Sequence, residues 1–96
     1  MDDDSGRAHE IDSLLGQEVV VDVKHAHIYI GTLSRIGADS IVLTDADVHF
    51  CGDSLTTVEL YLVETKKNGV RPNRKAAYVM RSEVLSISRL DDIIDY

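Results

Sequence analysis

Ninety-six residues, 44% of them hydrophobic and 28% charged, describe one small globular domain and exclude a disordered chain. No apolar run approaches the roughly 20 residues of a membrane span, and the acidic start "MDDDSGRAHE" has the opposite sign to a secretory leader, so a cytoplasmic address is expected. The one cysteine, Cys51, has no internal partner, which fits a reducing compartment and suggests a small buried or half-buried hydrophobe rather than a nucleophile.

The net charge of −7 is unevenly spread. Between Thr65 and Ser82 lie six basic residues and no acid, whereas the rest of the chain carries four basic and 17 acidic residues. Such a run is either a solvated loop of an acidic protein or a surface for a polyanion.

After an acidic leader over 1–8, expected to be disordered, "HEIDSLLGQ" puts Ile11, Leu14 and Leu15 at the i, i+3, i+4 spacing of a short helix ended by Gly16. Val19, Val21 and Val23 then alternate with Glu18, Val20, Asp22 and Lys24, the period of a strand with one face more buried than the other. A turn at 24–26 leads to a second strand, "HIYIGTLSRI", with Ile28 and Ile30 on one face and Tyr29, Gly31 and Leu33 on the other. Glycine inside a strand packs nothing, so Gly31 needs a positional reason, and a sharp bend supplies one. "IGADS" has turn chemistry, and "SIVLTDADVHF" reads as a third strand.

Residues 51–69 are ambiguous. Val58, Leu60 and Leu62 alternate as in a strand, but Leu55, Val58, Tyr61, Leu62 and Thr65 share a helical face. Thr56 with Glu59 resembles a capping box, Asp53 lies N-terminal, Lys66 and Lys67 fall in the last turn, and Asn68-Gly69 closes the end, so a helix is expected here. The alternative is a hairpin turning at "NG". Pro72 stops any further helix, and two short strands, 77–80 and 84–90, follow around the turn "RSE". The whole domain spans 9–96, with an insertion over about 51–76.

This order, a helix, three long strands, an insertion and two short strands, resembles the Sm and Sm-like family of RNA-binding proteins over about residues 10–50 and 77–90. Leu15, Gly16, Val19, Val21, Val23, Lys24, Tyr29, Gly31 and Leu33 match the family's first motif in order. Met80, Arg81, Ser82, Glu83, Val84 and Ile87 are similar to its second, with a spacing nearer the bacterial Hfq branch. The resemblance implies a mainly β fold: a small, bent, five-stranded antiparallel barrel with an N-terminal helix and a helical insertion between strands 3 and 4. It also implies a homo-oligomeric ring, a homo-hexamer or homo-heptamer, that binds single-stranded RNA and catalyses nothing. The family's Asp-x-x-Met-Asn loop is here "GADSI", one residue shorter, with Ser40 where Asn is expected and no ring to stack a base. Ser82 replaces a glycine, and Glu83 adds a negative charge.

Carried over to this chain, the rim of such a ring holds Asp39 and Ser40 to hydrogen-bond a base edge, and Arg81 with Ser82 to meet a base or phosphate. The plainer reading has Asp39 and Ser40 forming a turn and Arg81 pairing with Glu83. Lys66, Lys67, Arg71, Arg74 and Lys75 offer a second route, phosphate contacts of low sequence preference; alternatively they offset the acidic surface of neighbouring subunits. An oligomeric protein-interaction scaffold without RNA binding is the competing function. His25 and His27 share a face if the strand runs through both, and His49 and Cys51 are nearby in sequence, but no zinc spacing is present and no metal or other cofactor is expected. No nucleophile, base or phosphate-cradling loop points to catalysis.

Overall fold

The computed structural model describes residues 10–50 and 55–95; the leader, Cys51 and Asp53 lie outside them. Residues 10–12 are helical, and the turn that follows is held by Leu14 N donating to Ile11 O at 2.9 Å and Leu15 N to Asp12 O at 3.0 Å. Gly16 N then donates to Leu33 O at 2.8 Å, and Leu33 N to Gln17 O at 3.0 Å. The N-terminal turn is thus tied to the middle of the second strand.

Five strands form one antiparallel sheet: β1 (Glu18–Val23), β2 (His27–Ile36), β3 (Ser40–Phe50), β4 (Arg74–Met80) and β5 (Val84–Arg89). Their order is β4-β3-β2-β1-β5, so the last two strands of the chain are its two edges. A helix, α1 (Leu55–Asn68), joins β3 to β4, and short 3₁₀ turns occupy Arg81–Glu83 and Leu90–Asp92. The expected architecture is therefore present. In detail β4 begins at Arg74, inside the range read as insertion, because Ala46 is a ladder partner for Arg74 well before Ala77.

Helix wins over hairpin at 55–68 because its apolar face has something to cover. Leu62 and Thr65 are buried and Val58 and Tyr61 half-buried, while Val20, Ile28, Ile30 and Leu90 supply the opposing surface. The helix starts at Leu55, so Thr56 stands within its first turn and is not its N-cap. Its other end is as expected: Lys66 and Lys67 occupy the last turn, and Gly69, with φ +92°, donates its N–H to Thr65 O at 2.8 Å.

With α1 on one side, the sheet buries both faces. Val19, Val21, Val23, Leu33, Ile41, Leu43, Ala46 and Val79 make the main core, and Val20, Ile28 and Ile30 turn the opposite way toward α1. Val20, read as a less buried position, is 1% exposed for this reason.

The β2–β3 ladder explains Gly31. Pairing shifts by one residue between Ile30↔Asp47 and Thr32↔Thr44, and Asp45 opposite takes φ +48°. A Cβ on Gly31 would lie 3.0 Å from Thr44 O and 3.1 Å from Ala46 Cα. The glycine thus lets two backbones close on each other at a bulge, where the sheet bends. Gly31→Val must push β3 away at this contact, and we expect a loss of about 2–4 kcal/mol in urea unfolding. An unchanged denaturation midpoint would remove Gly31 from the bend.

Candidate functional site

The rim residues come together. Arg81 N donates to Asp39 O at 2.9 Å, Ser40 pairs with Met80 across β3 and β4, and Gly37 N donates to Ser40 O at 2.8 Å. The Arg81 guanidinium donates through Nη1 to Gly37 O at 2.8 Å. This corrects the expected Arg81–Glu83 pair: the carbonyl is the partner, and it locks the 37–39 turn to the 81–83 turn. Glu83 uses its own carbonyl to accept Lys24 N at 3.0 Å. Asp39, Arg81 and Ser82 are exposed and Ser40 is half-buried. Below Arg81 an apolar hollow is lined by Ile11, Ile36, Ile41, Val84 and Ile87.

The five basic residues of the second route do not act alike. Lys66 Nζ donates to Ile93 O at 2.7 Å, and Lys67 Nζ lies 2.9 Å from Asp95 Oδ2. The hydrogen bond to Asp95, with its charge, holds the Lys67 ammonium above its ordinary pKa. These two lysines fasten the acidic C-terminal segment to α1. Arg71, Arg74 and Lys75 are exposed, and Arg74 Nη1 turns back to Asn73 O at 3.0 Å. Since Arg74 and Arg81 bracket β4, seven residues long, the rim and this basic cluster stand about 20 Å apart.

Between them in chemistry, though not in position, is a cavity of about 150 Å³ that the sequence did not disclose. It lies between β3 and the C-terminal half of α1 and is lined by Asp47, Tyr61, Glu64, Thr65, Asn68 and Arg71, with Gly69. Asp47 is 6% exposed. Among the described residues its one hydrogen bond is a long contact, 3.4 Å, from Asn73 Nδ2 to Oδ1. Burial raises its pKa above the ordinary carboxylate value, with His49 acting weakly in the other direction. Tyr61 is fixed by His49, whose ring stacks on it at 4.0 Å and 11°. Asn73, behind Asp47, is itself held to β3: its N–H goes to Ala46 O at 2.9 Å, its Oδ1 accepts Val48 N at 3.0 Å, and its Nδ2 reaches Val48 O at 3.1 Å. The asparagine substitutes for the pairing that β3 lacks on its β4 side beyond Ala46.

His25 lies in the hairpin turn and not on a strand face shared with His27. The hairpin turn occupies 24–26, with His25 at φ +68° and Ala26 at φ +63°, and His27 packs its ring on Phe50 at 5.1 Å. His49 faces α1, and no metal-holding cluster occurs among the described residues. Of the residues missed, Asp47, Tyr61 and Asn73 gave no motif-level signal, because only the bulge and the helix bring them together.

By sequence the chain matches no family model and no curated protein. Its structure is similar to the Sm protein of Pyrococcus abyssii in complex with a uridine heptamer, with a TM-score of 0.60 at 20% identity, covering 85% of this chain and 94% of that one. It is also similar to a novel Sm-like archaeal protein from Pyrobaculum aerophilum, with a TM-score of 0.55 at 22% identity over 84% of this chain and 48% of that one. A chain of the NatC complex bound to CoA aligns with a TM-score of 0.53 at 17% identity, over 88% of this chain and 83% of that one. The fold is Sm-like. Among the described residues no helix is long and apolar enough to cross a membrane.

Asp47 makes a pH-dependent contribution with a definite sign. A carboxyl whose folded pKa is raised binds its proton more readily folded than unfolded, so its cost is absent below the ordinary value of 3.8 and appears as pH rises through the raised one. Asp47→Asn removes that cost. Its melting temperature should gain on the parent's as pH rises from 3.8 toward the raised value, and the gain should hold constant above it. A difference that stays flat over this range would mean that Asp47 is fully compensated by its neighbours.

Proposed function

We propose that this protein is a non-catalytic, RNA-binding Sm-like protein that assembles into a ring of six or seven identical copies. The observation that carries the reading is the rim, where Arg81 latches the turn after β2 to the turn between β4 and β5 with Asp39 and Ser40 beside it. A guanidinium held beside an apolar hollow is suited to a base face or a phosphate. A protein with the same fold binds a uridine heptamer.

Ring assembly is supported by the edges. β4 and β5 each pair on one side only, and Tyr78, Met80 and Leu85, all large and apolar, are exposed on them. A neighbour's β5 against β4 would pair both ladders and cover these side chains. Arg71, Arg74 and Lys75, repeated in every copy, would then add phosphate contacts without base preference. A cytoplasmic location fits this reading.

The second reading, an Sm-like scaffold for other proteins, is favoured by the NatC likeness, since that chain is part of a protein complex. RNA binding separates the two.

Light scattering should give a mass several times the 10.6 kDa of one chain, and Leu85→Asp should reduce it to the single-chain mass. A monomeric parent at micromolar concentration sinks the ring. Mixed-sequence single-stranded RNA should bind with a steep salt dependence. Neutralising Arg71, Arg74 and Lys75 together should flatten the log–log slope by about 0.7 for each phosphate that is no longer paired, while Arg81→Ala should weaken binding only partly. No RNA binding by the parent at low salt hands the function to the scaffold.

A further inference from the structure

The cavity under α1 combines three features that are costly or idle on their own. Asp47 is more than nine-tenths buried and lines it, yet among the described residues Oδ2 accepts no hydrogen bond and Oδ1 has only the 3.4 Å contact from Asn73. Its oxygens are thus short of protein donors where they face the cavity, and a ligand that brings two adjacent donors would satisfy both. Next to it stands Tyr61, immobilised by the His49 stack, a rigid aromatic surface. Arg71, exposed, also lines the cavity, and Arg74 and Lys75 line a neighbouring hollow with Asp45, Pro72 and Asn73.

Each feature restricts the ligand. Paired donors are needed inside, a flat ring fits the aromatic wall, and negative charge is favoured outside. A guanidinium or simple amine would bring donors to Asp47 and Glu64 but would leave the Arg71 cation on the same lining without a partner. Among the common nucleobases, guanine alone presents two adjacent donors, N1–H and the N2 amino group, on its Watson–Crick edge. Adenine would set its N1 lone pair against the carboxylate, and uracil offers one N–H between two acceptors. At about 150 Å³, roughly five water volumes, the cavity has room for a base and leaves sugar and phosphate to the exposed Arg71.

We propose that the cavity formed by Asp47, Tyr61, Glu64, Asn68 and Arg71 binds a guanine nucleotide, its base edge on Asp47 and its phosphate beside Arg71. The shared ligand chemistry is guanosine 5′-phosphate, free or as one residue of a single-stranded RNA. Only the RNA source rests on the function proposed above; the free nucleotide does not. Glu64 and Asn68, both exposed, complete the polar part of the lining. The site exists because α1 is inserted between β3 and β4, and it lies away from the rim where Arg81 sits.

The test is a calorimetric titration of the full chain with GMP and, separately, AMP at neutral pH and low salt, followed by uridine heptamers carrying one central G or one central A. GMP should bind at least about tenfold more tightly than AMP, the discrimination that one bidentate base contact provides. Asp47→Asn should abolish the preference while melting no lower than the parent, which a merely structural aspartate would not do. Arg71→Ala should weaken GMP but leave guanosine, which has no phosphate, unchanged. A G-containing heptamer that outbinds its A-containing partner identifies RNA as the source; GMP preference without heptamer preference identifies the free nucleotide. Equal binding of GMP and AMP, or no binding of either, overturns the proposal even where the uridine heptamer binds at the rim. If Asp47→Asn does not fold, the parent's GMP-to-AMP ratio and the Arg71→Ala comparison decide alone.

Discussion

The close approach of β2 and β3 at Gly31 is the constraint on which the rest of the molecule depends. A hydrogen atom in place of a side chain lets the strand sit within a Cβ's reach of Thr44 O and Ala46 Cα, and the ladder absorbs the bend by one extra residue at Asp45. That extra residue changes parity along β3. Ile41 and Leu43 face the main core, but after the bulge it is Ala46 that does so, and Asp47 with His49 turns toward α1. Without the bulge the alternation of two would carry Asp47 into the main core beside Leu43, where a carboxylate has no tolerable place.

Helix α1 answers a second need created by the same geometry. A bent sheet this short has a concave and a convex apolar surface and too few residues to leave either in water. Leu62, Val58 and Tyr61 cover Val20, Ile28 and Ile30, and the chain's end is drawn over the same cluster through Leu90 and Ile93. Lys66 and Lys67 hold that end by a carbonyl and a carboxylate respectively. Being exposed, the ion pair of Lys67 adds little to stability and serves chiefly to position the segment. Two of the ten basic residues are thereby engaged internally, and the cationic surface of this region reduces to Arg71, Arg74 and Lys75 at one end of β4 and Arg81 at the other.

The two ends of β4 differ because the strand is an edge. At its beginning it is anchored by Asn73, which takes over strand hydrogen bonds from β3; at its finish it runs into the Arg81–Glu83 turn against Asp39. Between these ends its outward side chains, Tyr78 and Met80, remain uncovered. A ring would use the middle of the strand for assembly, leaving one end for the pore rim and the other for the insertion face.

Local pattern was sufficient for much of this. Period-two alternation in 19–23, 28–33 and 40–50, a glycine with no packing role at 31, and a helical face through Val58, Tyr61, Leu62 and Thr65 each report a near-neighbour preference, and the strands and helix follow from them. The arrangement of Asp39, Ser40 and Arg81 was legible through family resemblance, because turns joined by the ladder Ser40↔Met80 are bound to meet. Three matters lay beyond the sequence. The partner of Arg81 is a backbone carbonyl, which no side-chain pattern encodes. The tethering of Lys66 and Lys67 joins residues 27 and 28 positions apart, and charge composition does not distinguish a tethered lysine from a free one. The burial of Asp47 beside Tyr61 required both the parity change at the bulge and the docking of α1, two tertiary events whose product is a site that neither segment specifies alone. Sequence by itself determined which elements form and that the second strand must bend; only the folded chain decided which way the residues beyond the bend would face, because a one-residue shift in register turns every later side chain to the other side of the sheet.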